Sequence, residues 1–196
     1  MPSDGAAVPV RRRDPEEKRD RLLAAARSLF VSQGFEKTTS KEIAKLSGVS
    51  EGILFHQFHS KVGILNELIS QYADNAIEIF GEDRLRNQSA ETFIRRLLTV
   101  IDKDRDLFEL FDSHAGILVK HGLPTIADLI VPEIENSLRN TPPASKHWPA
   151  DLSIMAEFQF SIVETTYRGW LKSKAKKQKE AFINEGVRSM NALLQI

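Results

Sequence analysis

From Pro15 onward, apolar positions recur three and four residues apart. Leu22, Ala26, Leu29, Phe30 and Gln33 fall on one side, because an α-helix turns once in about 3.6 residues. Gly34 is placed to end that helix as a left-handed cap. Thr38-Thr39-Ser40 then supplies hydroxyls, with Ser40 a candidate cap, and Glu42 lies three residues beyond Thr39, the spacing of a capping box. The short helix that follows is expected to turn Ile43, Ala44 and Leu46 inward. Gly48-Val49 reads as a tight turn, Ser50 as a second cap, and a third helix runs through Phe58, with Leu54 and Phe58 locking it into a small core. Three helices in so short a stretch, the last two joined by a glycine turn, form a helix-turn-helix pattern.

A fourth helix starts near Lys61 and carries Leu65, Leu68, Ile69, Tyr72, Ala76 and Phe80 on one stripe. Residues 81–87 read as a linker. Further helices are expected at 90–102, 104–119, 123–140, 149–174 and 177–195. Breaks fall at Gly122-Leu123-Pro124 and at Asn140-Thr141-Pro142-Pro143. No alternating strand pattern competes, so the expected fold is all-α, with about nine helices. Residues 1–14 form an arm, 15–60 a helix-turn-helix domain and 61–196 a larger helical domain.

Composition adds constraints. Apolar residues make up 41% of the 196, enough to fill a core. With no cysteine, neither disulfides nor thiolate metal sites are available. No stretch has the length and apolarity of a signal peptide or a membrane span, so a cytoplasmic location is expected. The net charge is zero, but it is unevenly spread. Residues 1–62 hold 11 Lys/Arg against 8 Asp/Glu, and residues 63–196 hold 16 against 19. The sign suits a nucleic-acid-facing end and a body that avoids the polyanion.

Catalytic signatures are missing: no glycine-rich phosphate loop, no G-x-S-x-G, no H-E-x-x-H. His114 and His121 stand about 10 Å apart along a helix, too far to share a metal ion. No enzyme activity, metal or cofactor is expected.

The segment LLAAARSLFVSQGFEKTTSKEIAKLSGVSEGILFHQFHSKVGIL resembles the DNA-binding domain of the tetracycline-repressor (TetR) family, in residue type and in spacing. The resemblance covers about a quarter of the chain. It implies a homodimeric transcriptional regulator, most simply a repressor that a small hydrophobic or aromatic effector releases from a double-stranded DNA operator, although activators carry the same head. By the same resemblance Ser40, Lys41, Ser50, Phe55, His56, Gln57 and Lys61 line the DNA backbone, while Glu51, Gly52 and Ile53 face the bases. Lys61 is expected to meet phosphate as a point charge. Phe55 stands where the family often has tyrosine, and Gln57 where it often has histidine or tyrosine. Glu51 is an acid beside a polyanion, which is favourable where it accepts from a cytosine amino group. Arg11-Arg12-Arg13 is either a minor-groove arm or a solvated tail. A module with a vestigial helix-turn-helix, binding a ligand or another protein, is the alternative reading.

The body is where the resemblance implies an effector site and a dimer interface. Phe93, Leu97, Phe108, Phe111, His114, Leu118, Phe158 and Thr165 are the candidate pocket residues, with His114 and Thr165 as its polar groups. The last two helices carry more apolar residues than one packing face needs. Their candidate interface residues are Tyr167, Trp170, Phe182, Gly186, Val187 and Met190, in a four-helix contact between two copies.

Overall fold

The computed structural model describes residues 15–80, 89–113, 115–140 and 151–194. The arginines of the expected arm, the linker at 81–87, His114 and residues 141–143 lie outside the described residues. Every regular element among the described residues is a helix: α1 (Pro15–Gln33), α2 (Ser40–Ser47), α3 (Glu51–Phe58), α4 (Lys61–Phe80), α5 (Ala90–Lys103), α6 (Arg105–Ser113), α7 (Ala115–Lys120), α8 (Ile126–Asn140), α9 (Leu152–Lys172) and α10 (Lys176–Leu194). The helix read over 104–119 is thus described as α6 and α7. The helix read from 123 begins at Ile126, because Thr125 and Asp128 form a reciprocal cap. The Thr125 backbone N–H and hydroxyl both donate to the Asp128 carboxylate at 2.8 Å, and the Asp128 N–H donates back to the Thr125 hydroxyl at 3.2 Å. Two compact units meet at Leu65 and Asn66, inside α4.

In the first unit α1 packs on α2 and α3 around Leu22, Ala26, Phe30, Ile43, Leu54 and Ile64, all fully buried. Each large apolar side chain so buried contributes about 1.5–3 kcal/mol. The Phe30 and Phe35 rings meet edge to face at 5.2 Å. The capping box at the start of α2 forms in full: the Thr39 hydroxyl accepts from the Glu42 N–H, and the Thr39 N–H donates to the Glu42 carboxylate at 2.8 Å. Thr39, not Ser40, is therefore the cap of α2, and Ser40 is its first helical residue. Leu46 does not turn inward; it is 57% exposed. The buried face of α2 is Ile43, Ala44 and Ser47, and Leu46 lies about 100° off its centre. The buried Ser47 hydroxyl donates to the Ala44 carbonyl and accepts from the Val49 N–H, so a polar residue fills the place without loss.

The α2–α3 turn needs Gly48, whose φ of 63° is left-handed and whose N–H reaches the Ala44 and Lys45 carbonyls. Arg21 on α1 braces it by donating to the Ser47 carbonyl. Ser50 caps α3, accepting from the Ile53 N–H at 3.4 Å. The turn into α4 is tighter. A side chain on Gly63 would put its Cβ 1.9 Å from the Phe58 carbonyl oxygen.

In the second unit α9 packs against α8 and α10, and α10 against α5. Met155, Ala156, Gln159, Val163, Thr166 and Tyr167 form the inner face of α9. Gly186 lets α10 approach, since a Cβ there would lie 2.3 Å from the Thr166 hydroxyl. A fork of two bonds ties α5 to α10: Arg95 Nη1 and Nη2 donate to the Glu180 carboxylate at 3.1 and 2.6 Å.

Candidate DNA-reading face and internal cavity

The helix-turn-helix fixes α3 from one side only. Leu54 and Phe58 are buried, one turn apart. Glu51, Gly52, Phe55 and His56 are exposed, and Ile53 is half-buried. A helix anchored along one stripe thus leaves the opposite stripe, i, i+1, i+4 and i+5, free to meet a surface. Phe55 is 45% exposed, an aromatic ring with no hydroxyl to reach a phosphate, but suited to a thymine methyl or a sugar. On α2, Lys41 is exposed and Ser40 half-buried. Lys45, exposed four residues after Lys41, shares its face; it was not singled out from the sequence, although that spacing alone would have found it.

Two residues expected on the DNA backbone are engaged inside the head. The Lys61 ammonium donates to the Phe35 and Thr38 carbonyls, both at 2.7 Å, and sits 4.2 Å from the centre of the Phe35 ring. Burial pulls its pKa below the usual lysine range, against the pull of Glu36 and Glu42. Of three N–H donors, one remains for anything else. Gln57 is half-buried and its amide donates to the Pro15 carbonyl at 3.0 Å, pinning the start of α1. Neither tie was legible, because the partners lie far away in the chain.

The second unit holds a partly open cavity of about 170 Å³. Of the expected pocket residues, Leu97, Phe108, Phe111 and Leu118 line it. Phe93 is buried but does not reach it. Phe158 and Thr165 do not line it either. Phe158 is 58% exposed and Thr165 is exposed too, because both lie on the side of α9 opposite Met155, Val163 and Tyr167. His114 is outside the described residues. The wall includes residues that sequence reasoning passed over: Tyr72 and Ala76 from α4, Asp112, Glu164, Tyr167 and Arg168. Tyr72 meets Phe111 edge to face at 5.8 Å, and Phe108 meets Tyr167 at 4.6 Å.

Arg168 is held by two carboxylates. Its Nη1 donates to Asp112 at 2.7 Å and its Nη2 to Glu164 at 2.9 Å, with a further contact from Nη2 to Asp112. Burial pushes the Tyr167 hydroxyl up to about 12, with Asp102 adding to the effect and the nearby Arg105 guanidinium opposing it. Burial likewise raises Tyr72. Both phenols stay protonated at any physiological pH.

The expected dimer residues divide. Tyr167, Gly186 and Met190 are buried within the protomer, Tyr167 in the cavity wall and Gly186 against Thr166 of α9. Trp170 is half-buried, stacked on Tyr167 at 5.9 Å with the Lys179 ammonium 3.7 Å from its ring centre. Val187 is half-buried, and Phe182 is 40% exposed. The apolar stripe that does face outward on α9 is Ile154, Phe158 and the half-buried Ile162, one helical turn apart each. Helical phase accounts for the burial: α9 is apolar on two sides, and the side holding Tyr167 is the buried one.

The comparisons with known proteins follow this division of the chain. Residues 22–68 match the family model for bacterial regulatory proteins of the tetR family. The head is of the TetR family. In Bacillus subtilis, the HTH-type transcriptional regulator YvkB is 44% identical over 55 residues. That match covers 28% of this chain and only 29% of YvkB, so it concerns the head alone. The nucleoid occlusion factor SlmA of Aliivibrio fischeri is 25% identical over 197 residues, covering 93% of this chain and 98% of SlmA. Beyond the TetR-family head, the fold as a whole resembles a Syntrophomonas wolfei protein described as a TetR-family transcriptional regulator. Its TM-score is 0.77 at 21% identity, over 93% of this chain and 97% of the other. Among the described residues no helix is long and apolar enough to cross a membrane, and no group of three His, Asp or Glu is placed to hold a metal ion.

Proposed function

We propose that the chain is a sequence-specific DNA-binding transcriptional regulator, acting as a homodimer, that a small hydrophobic or aromatic effector releases from its operator. The observation that carries the reading is the TetR-family head with one face of α3 buried and the other, Glu51, Gly52, Phe55 and His56, exposed. Such a helix fits a major groove. Capped helix starts at Thr39 and Ser50 and the exposed Lys41 and Lys45 suit phosphate contacts. Ser40 and Ile53 are secondary candidates at the same surface. Lys61 and Gln57 act by bracing the head and less by touching DNA. A cytoplasmic location follows from that role.

Two copies are needed to read two half-sites. The outward apolar stripe of Ile154 and Phe158, with Phe182 on α10, supports a four-helix contact between them. The effector enters the α4–α9 cavity. Control is a population shift: a ligand that prefers the protomer conformation poorly spaced for DNA lowers operator affinity by its preference ratio. The helix α4 supplies Tyr72 and Ala76 to the cavity and, as one continuous helix from Lys61, is the connection to the head.

A gel shift of the purified chain against DNA upstream of its own gene, run over a salt series, tests the proposal. Affinity falling steeply as a power of salt concentration supports it; no salt-dependent complex with any duplex overturns it. The full-length likeness to SlmA favours a second reading, in which the DNA-bound dimer serves nucleoid occlusion. That reading needs the same DNA contact and differs in having no promoter-proximal target.

A further inference from the structure

We infer that the cavity of the second unit selects a hydrophobic monocation, an amine or quaternary ammonium on an aromatic or alkyl body, and discriminates against carboxylic acids. The inference rests on the proposal that this cavity is the effector site, and deepens it by naming the ligand's charge.

Among the described residues, three charged side chains reach the cavity wall: Asp112, Glu164 and Arg168. One guanidinium between two carboxylates leaves one negative charge in excess. Both terminal nitrogens of the guanidinium already donate to Asp112 and Glu164, so its remaining N–H groups are flanked by two carboxylates. An incoming carboxylate would approach two anions already paired with that cation, in a partly desolvated place. An incoming ammonium meets oxygens with unused lone pairs.

The neighbouring chain reinforces the sign. Residues 102–112, which run from the end of α5 through most of α6, hold five carboxylates and two cations. Asp102 and Glu109 lie close enough to act on the Tyr167 hydroxyl, where the Arg105 guanidinium opposes them. The rest of the lining is apolar or aromatic, with Tyr72, Phe108, Phe111 and Tyr167 among it. Ring faces attract cations and not anions. Apolar bulk, rings and a net negative edge together describe a lipophilic cation.

A matched series tests this on the full chain: 4-phenylbutylammonium, 4-phenylbutan-1-ol and 4-phenylbutanoate, titrated by calorimetry at neutral pH. The amine is expected to bind about ten-fold tighter than the alcohol, with the acid weakest, and the gap should shrink in high salt. In the D112N/E164Q double variant Arg168 is freed and the order is expected to invert in favour of the acid. In R168Q the two carboxylates stand alone and the preference for the amine should steepen. Thermal melts establish that each variant is folded. Acid binding as tightly as amine in the parent, no binding by the amine, or an order unchanged in both variants overturns the inference. A cavity that prefers the acid and still lowers operator affinity on filling would sink the inference alone; failure to bind DNA in the salt series would sink the regulator reading alone.

Discussion

Lys61 separates two accounts of the same residue. As a phosphate contact it would add one counterion-releasing charge to the DNA interface; as a brace it holds the Phe35–Thr38 turn to the start of α4. The structure spends its ammonium on two carbonyls at 2.7 Å and one ring face. Replacing it in Lys61→Met keeps most of the aliphatic stem and deletes those interactions. A hydrogen bond from a charged donor contributes about 1.5–3 kcal/mol when buried, and a cation–π contact about 0.5–1 kcal/mol at an exposed site. Lys61 is only half-buried, and water will re-solvate part of what is lost, so the expected cost is about 2 kcal/mol. For a chain of this size that lowers the melting temperature by about 4–8 °C. Circular dichroism melts read the first quantity. The second is the slope of log affinity against log salt, which falls by about one for each phosphate contact removed. The brace account expects the melting point to fall and the slope to stay put. An unchanged melting point with a slope reduced by about one would refute it.

Other expectations follow from neighbouring features. Glu51→Ala should relax base preference at one position of each half-site, worth about 1–3 kcal/mol there; an unaltered consensus after binding-site selection would remove Glu51 from the reading set. Glu42 has a lowered pKa, chiefly from the Thr39 backbone N–H and then its hydroxyl. Its folded form therefore releases its proton more readily than the unfolded form, so its contribution is whole above the ordinary glutamate range and drains away as pH falls through the lowered value. Glu42→Gln should flatten that part of an acid-denaturation profile, and an unchanged profile would count against the capping box. Phe158→Glu, on the outward stripe of α9, should shift the assembly towards monomer in sedimentation while leaving the melt of the protomer nearly unchanged. A dimer of undiminished affinity would place the interface elsewhere.

Much of the head was legible because its signals are local. Thr39 with Glu42, Ser50 before α3 and glycine at 48 each act within four residues, and Leu54 and Phe58 are one turn apart on a short helix with a single apolar side. Legibility failed wherever the choice was between two faces of one helix. Leu46 and Ser47 on α2 differ by one position, and burial took the polar one because its hydroxyl could be satisfied by the local backbone. On α9 the pattern of Ile154, Phe158 and Ile162 is as helical as that of Met155, Val163 and Tyr167. Only the packing of α8 and α10 decides which stripe is interior, so Tyr167 lines the cavity and Phe158 faces outward. The cavity's charged edge was out of reach for another reason: Asp112 and Arg168 are 56 residues apart, and no periodicity links them. Lys61 and Gln57 belong to the same class, each tied to a carbonyl far back in the sequence.

The most direct test of the central claim is a methylation-interference footprint on a selected duplex, because a methyl group at guanine N7 blocks the major groove and little else. If the exposed face of α3 enters that groove from two copies of the chain, interference should cluster in two patches, separated by about one helical turn or a multiple of it. Uniform insensitivity to major-groove methylation, or a single unpaired patch, would contradict the account.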